Sequence, residues 1–136
     1  MPCRYFEPLQ IVSVPFHQNA RLPLIDEYDG VCHVEAEASP VPAESRFQGC
    51  NHGNRDHPCG RFPAERDRAV LRLTVAKLDG DALEILAIQE ANHRPVRWQT
   101  VRFLLRTEEL VPDLVEICQR AQLLAFCRSY LKKAAG

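Results

Sequence analysis

Pro8, Pro15, Pro23, Pro40, Pro42, Pro58 and Pro63 follow one another so closely in the N-terminal half that a long helix or a long central strand has no room between them. Each proline fixes its own φ and removes a backbone donor, which restricts this stretch to short extended pieces joined by turns. Leu9–Val14 and Val31–Ala36 are the two segments with strand character.

Past residue 66 the pattern changes. Leu71, Leu73 and Val75 alternate within 69–78, and Asp79-Gly80 follows, a pair tolerant of positive φ in a hairpin. The spacing predicts a second strand over 82–88, a turn at Asn92, His93 and Pro95, and a third strand over 96–105, where Val, Trp, Thr and Phe gather. From Pro112 onward Leu114, Ile117, Ala121, Leu124 and Leu131 recur at helical spacing. Pro112 suits a first helical turn, and Glu108-Glu109 ahead of it would favour the helix dipole.

The expected fold class is therefore α+β. A small antiparallel β-sheet, a meander of residues 69–105 plus short N-terminal strands, packs with one C-terminal α-helix under an irregular Pro/Cys-rich N-terminal layer. A chain of 136 residues with 46% hydrophobic content can build one core, so residues 1–136 are expected to form a single domain. Its 1–66 half would carry the cysteine chemistry and its 67–136 half the meander and helix.

The formal charge of −1, from 17 basic and 18 acidic residues, supplies no field that would draw the chain to nucleic acid or an anionic membrane. No apolar run approaches the roughly 20 residues needed to span a bilayer. The opening MPCRYFEPLQIVSVPF lacks the basic start and apolar run of an export signal. The expected location is the cytoplasm, where six cysteines serve metal or redox chemistry more often than crosslinking.

Cys118 and Cys127 fall in the last helix, nine residues apart. At about 100° and 1.5 Å per residue they lie on opposite faces, about 13.5 Å apart along the axis, and cannot share an ion. They read as small buried residues of the apolar pattern. Cys3, Cys32, Cys50 and Cys59 remain, all in the irregular half, and four thiolates are the usual set for a closed zinc site or an iron–sulfur cluster.

A proline-rich half has little burial to offset its ordering entropy, and a metal tie between its start, middle and end would supply the deficit. No C-x2-C knuckle occurs, and a four-iron (4Fe-4S) cluster, wider than one ion, collects single cysteines from separate loops. An iron–sulfur cluster is thus placed ahead of zinc. The expected use is electron transfer, redox sensing or association with a protein partner, with no catalysis of its own.

The stretch Cys50-x-His52-x4-His57-x-Cys59 adds two imidazoles that could replace a thiolate or bond to sulfur, but so polar a loop favours solvent exposure for both. His17 and His93 have turn-like surroundings.

Two other functions have some support in the sequence. Cys32-His33-Val34-Glu35 followed by Pro58-Cys59 resembles part of the H-x-E and P-C-x-x-C pattern of the zinc nucleoside deaminase family. The resemblance implies His33 and Cys59 as ligands and Glu35 as acid/base, with Phe62 standing where the second motif cysteine belongs. Arg94, Arg97, Trp98, Arg102 and Arg106 interleave charge with a ring, as a single-strand binder would, but strand alternation splits them between two faces. The simpler expectation there is a partly solvated sheet face whose Trp98 packs against the helix or loops. The class that competes with a metal centre is a metal-free interaction module stabilised by its sheet and helix. Arg55, Arg61, Arg66, Arg68 and Arg72 are diluted by Asp56, Glu65 and Asp67. No P-loop, G-x-G-x-x-G, G-x-S-x-G or H-E-x-x-H pattern is present.

Overall fold

A computed structural model of the chain describes residues 1–15, 21–53, 59, 70–91 and 94–135. His17, His57, His93, Phe62 and the arginines at 55, 61, 66 and 68 lie outside the described residues. The architecture is α+β, with one three-stranded and one four-stranded antiparallel sheet and a long C-terminal helix.

The larger sheet is the meander that the alternation demands. β4 (Val70–Leu78), β5 (Ala82–Ala91) and β6 (Arg94–Leu104) are consecutive neighbours, and β7 (Leu110–Val111) pairs back onto the end of β6. Leu71, Leu83, Ile85, Ala87, Val101 and Phe103 bury one face, as period-two side chains must. The Asp79 carboxylate holds the β4–β5 reversal, accepting the Asp81 and Ala82 N–H groups at 2.8 and 2.9 Å. The positive-φ glycine among the described residues is Gly53 rather than Gly80. Among the described residues, the helix and loops leave Trp98 largely uncovered. It pairs with Ile88 on the outer face of the sheet and is 67% exposed.

The smaller sheet orders β1 (Phe6–Ile11), β2 (Tyr28–Cys32) and β3 (Ser39–Pro40). β1 and β2 each begin three residues before their expected starts, because Phe6 and Tyr28 are drawn into the core and carry the strands with them. β1 is an edge strand, the place where Pro8 removes no ladder bond. Opposite it Gly30 is obligatory, since a Cβ there would overlap the Glu7 carbonyl oxygen. A short α1 (Ala43–Ser45) runs directly into a π-helical turn (Arg46–Asn51) that delivers Cys50 and Asn51 to the interior.

The C-terminal helix, α2 (Ile117–Ala135), starts five residues later than Pro112 suggests. Leu110 and Val111 are held extended against Phe103 and Arg102, so the chain turns only after them. Glu116 then caps the helix, its carboxylate accepting the Gln119 N–H at 2.6 Å and its carbonyl the Arg120 N–H at 2.9 Å. Glu108 lies in the turn before β7 and pairs with Arg128. No helix among the described residues is long and apolar enough to cross a membrane.

One contiguous apolar cluster joins both sheets to α2, running through Phe6, Tyr28, Ile85, Phe103, Leu123 and Cys127. Burial pushes the fully buried Cys127 thiol up from 9.0 to about 12, with Arg128 acting weakly in the other direction. This raised value makes the fold sensitive to alkali. Above about pH 9 the unfolded chain loses a proton that the folded chain keeps, so stability is fully present below pH 9 and falls as pH rises toward 12. Cys127 is expected to contribute up to about 1.4 kcal/mol per pH unit to this slope, and Cys127→Ala should reduce it by that share in urea titrations at pH 8–11.

Candidate metal centre

Three separate stretches of the N-terminal half meet at one place. Cys3 precedes β1, and its N–H donates to the Cys50 carbonyl at 3.0 Å. Its own carbonyl accepts the Phe6 N–H at 3.1 Å, closing a turn over Arg4 and Tyr5. Cys32 ends β2 directly opposite Phe6, and the next residue, His33, donates its N–H to the Tyr5 carbonyl at 2.8 Å. Cys59 lies beside Gly49, where a Cβ would come 3.5 Å from that of Cys59. All six cysteines are free thiols. Cys32 and Cys50 are buried, Cys3 and Cys59 partly so.

The cradle around these thiols is built from buried polar groups. Asn51, fully buried, accepts the Tyr28 N–H at 2.7 Å and donates to the Tyr28 carbonyl at 2.8 Å and the Arg46 carbonyl at 2.9 Å. Its side-chain amide thus acts as an extra strand residue beside β2, fixing the π-helical turn that bears Cys50. Arg46 bonds the buried Glu27 carboxylate at 3.0 Å and ties the same turn to the entry of β2. Gly53 holds φ +66° where a Cβ would overlap the Met1 carbonyl oxygen, which seats the N-terminus against the chain just past Cys50. From the far side of the core, Gln122 of α2 donates to both the Cys3 and Phe6 carbonyls.

Electrostatics link the thiols. Burial pushes the Cys3 thiol up from 9.0 to about 11, a hydrogen bond from Tyr5 works against this, and the Cys59 and Cys32 thiolates add to it. The Cys118 thiol is also raised, first by burial, then by Glu116 and Glu7, and finally by Cys3 and Cys32. Cys3 therefore feels both Cys32 and Cys59, while Cys50 is joined to it through the backbone. Among the described residues, no three His, Cys, Asp or Glu side chains stand at the mutual spacing of a single ion's ligands. The segments that bear the four cysteines adjoin one another, but their side chains do not form a closed shell.

Sequence reasoning missed three residues here. Cys118 belongs to the apolar pattern and is buried, as expected, yet it also lies within electrostatic reach of Cys3 and Cys32. Gln122 and Asn51 drew no attention, although a glutamine four residues after Cys118, in register with the buried face of a helix, was a visible anomaly.

The histidines play smaller parts. His52 is exposed, with its ring 6.3 Å from that of Phe47. His33 directs Nε2 at Glu7 Oε1, 2.6 Å away, and Glu35 is exposed beyond the end of β2. The deaminase-like roles of His33 and Glu35 thus find no support in this geometry. On β6, Arg102 lies 3.9 Å from Glu84, and Arg97 points to the face opposite Trp98. Compared with protein-family models, curated proteins and solved structures, the chain matches none.

Proposed function

We propose that the chain is a small cytoplasmic metal-binding protein in which Cys3, Cys32, Cys50 and Cys59 hold one metal centre, an iron–sulfur cluster ahead of zinc. The observation that carries this reading is the convergence of backbone segments: the Cys3 N–H bonds the Cys50 carbonyl, the turn after Cys3 bonds the end of β2 just past Cys32, and Cys59 lies beside Gly49, the neighbour of Cys50. Burial first, and then the neighbouring Cys59 and Cys32, hold the Cys3 proton on, and a bound cation would reverse this, so that deprotonation of Cys3 accompanies metal binding. Single cysteines drawn from separate segments suit a cluster, which spans more space than one ion.

Electron transfer, redox sensing or protein association would use the partly exposed edge of the centre. Cys59 and Gly49 border a cleft of about 310 Å³ whose floor includes Phe47 and the Glu27–Arg46 pair. A protein partner docking there would come close to one sulfur.

Metal analysis of protein purified under anaerobic conditions tests the proposal. Near-stoichiometric iron and sulfide with an absorption band near about 400 nm is expected, whereas colourless protein with one zinc would exchange the cluster for the ion. A second reading, a metal-free interaction module, draws on the exposed Trp98 and Val96 of β6. Protein that contains no metal and takes up neither Zn²⁺ nor iron and sulfide would decide for it.

A further inference from the structure

The turn that presents Cys3 is not held by its own sheet alone. Gln122 lies in the middle of α2, is 1% exposed, and directs Nε2 at the Cys3 carbonyl and the Phe6 carbonyl, both at 2.8 Å. A glutamine inside an apolar core is costly unless its amide is bonded, and here both bonds go to the residues that open and close the Cys3 turn. One helical turn earlier, on the same face, Cys118 is buried within the field of Cys3 and Cys32. The helix face bearing Cys118 and Gln122 thus borders the Cys3 turn, more than 110 residues away in sequence.

Resting on the metal reading above, we infer that Gln122 is a positioning residue of the metal centre, clamping the Cys3 turn to α2 so that occupation of the centre and docking of residues 118–126 become one linked equilibrium. Metal bound to Cys3 favours the docked helix, and by reciprocity the docked helix favours retention of the metal. Loss of the metal would therefore reach the C-terminal helix through two hydrogen bonds. The N-terminal cysteines are the input of this device and α2 is its output.

The test uses the full chain loaded with one equivalent of Zn²⁺. Gln122→Met keeps the volume and removes both hydrogen bonds, so release of Zn²⁺ to a chelator should quicken at least about tenfold, the scale on which residues that orient ligands act. Leu131→Ala unloads the same helix further along without touching the Cys3 turn, and should leave the release rate within about twofold. In the wild type, stripping Zn²⁺ should speed amide hydrogen exchange over 118–126 by at least about tenfold, a readout that needs no variant to fold. A wild type that binds Zn²⁺, with a Gln122→Met chain that releases it at the same rate or a helix whose exchange ignores the metal, overturns the clamp and leaves the centre standing. A wild type that takes up no Zn²⁺ and no iron and sulfide overturns both.

Discussion

Replacing Cys50 by serine is expected to lower bound metal at least about tenfold and to leave residues 1–53 with little protection from hydrogen exchange. A serine hydroxyl stays protonated at neutral pH and cannot replace a thiolate. The structural consequence is large because this half has few other means of order. Among the described residues its strands are short, its sheet has three members, and two close backbone approaches, at Gly30 in β2 and at Gly53, admit no side chain. Structural zinc sites contribute about 10–16 kcal/mol in small peptides, comparable to the whole stability of an ordinary domain, about 5–15 kcal/mol. The meander and α2 keep their own apolar cluster, so far-ultraviolet circular dichroism should retain most of its helical signal. Cys127→Ser is the matched control, a buried thiol remote from the site that should retain full metal content. Equal metal in Cys50→Ser and wild type would remove Cys50 from the centre.

The contrast between the two halves explains what could be read in advance. Leu71, Leu83, Ile85, Val101 and Phe103 obey period two over long stretches, so the meander was legible from side-chain chemistry alone. Strand ends in the first half were not, because Phe6 and Tyr28 enter the sheet through contacts with residues more than ninety positions away, such as the Tyr28 hydroxyl donating to the Ala125 carbonyl at 3.0 Å. Pro112 misled for a related reason. It satisfies the local preference for a first helical turn, but β7 needs Leu110 and Val111 extended, and pairing with Phe103 overrides that preference. The four cysteines could be selected by elimination, since helix geometry separates Cys118 from Cys127. That Cys118 and Gln122 line the same place could not, because nothing local says which side of α2 meets the Cys3 turn.

Asn51→Asp is expected to be as damaging as Asn51→Ala, although it keeps the side chain's shape. In alanine the Tyr28 N–H, the Tyr28 carbonyl and the Arg46 carbonyl all lose their bond to this side chain. Each unsatisfied buried group costs about 1–3 kcal/mol, so a loss of about 3 kcal/mol or more is expected in urea unfolding. Aspartate restores the acceptor for the Tyr28 N–H but sets a carboxylate oxygen against two carbonyl oxygens where the amide donated, and it does so in a site with no exposure to water. Tyr28→Phe provides the scale: it removes only the hydroxyl shared by the Ala125 carbonyl and Ser129, and should cost about 1 kcal/mol. Because Asn51 follows Cys50 directly, both Asn51 variants should also release metal faster than Tyr28→Phe. An Asn51→Asp chain with a wild-type urea midpoint would mean that the amide does not hold the π-helical turn to β2, and the cradle proposed for Cys50 would lose its main support.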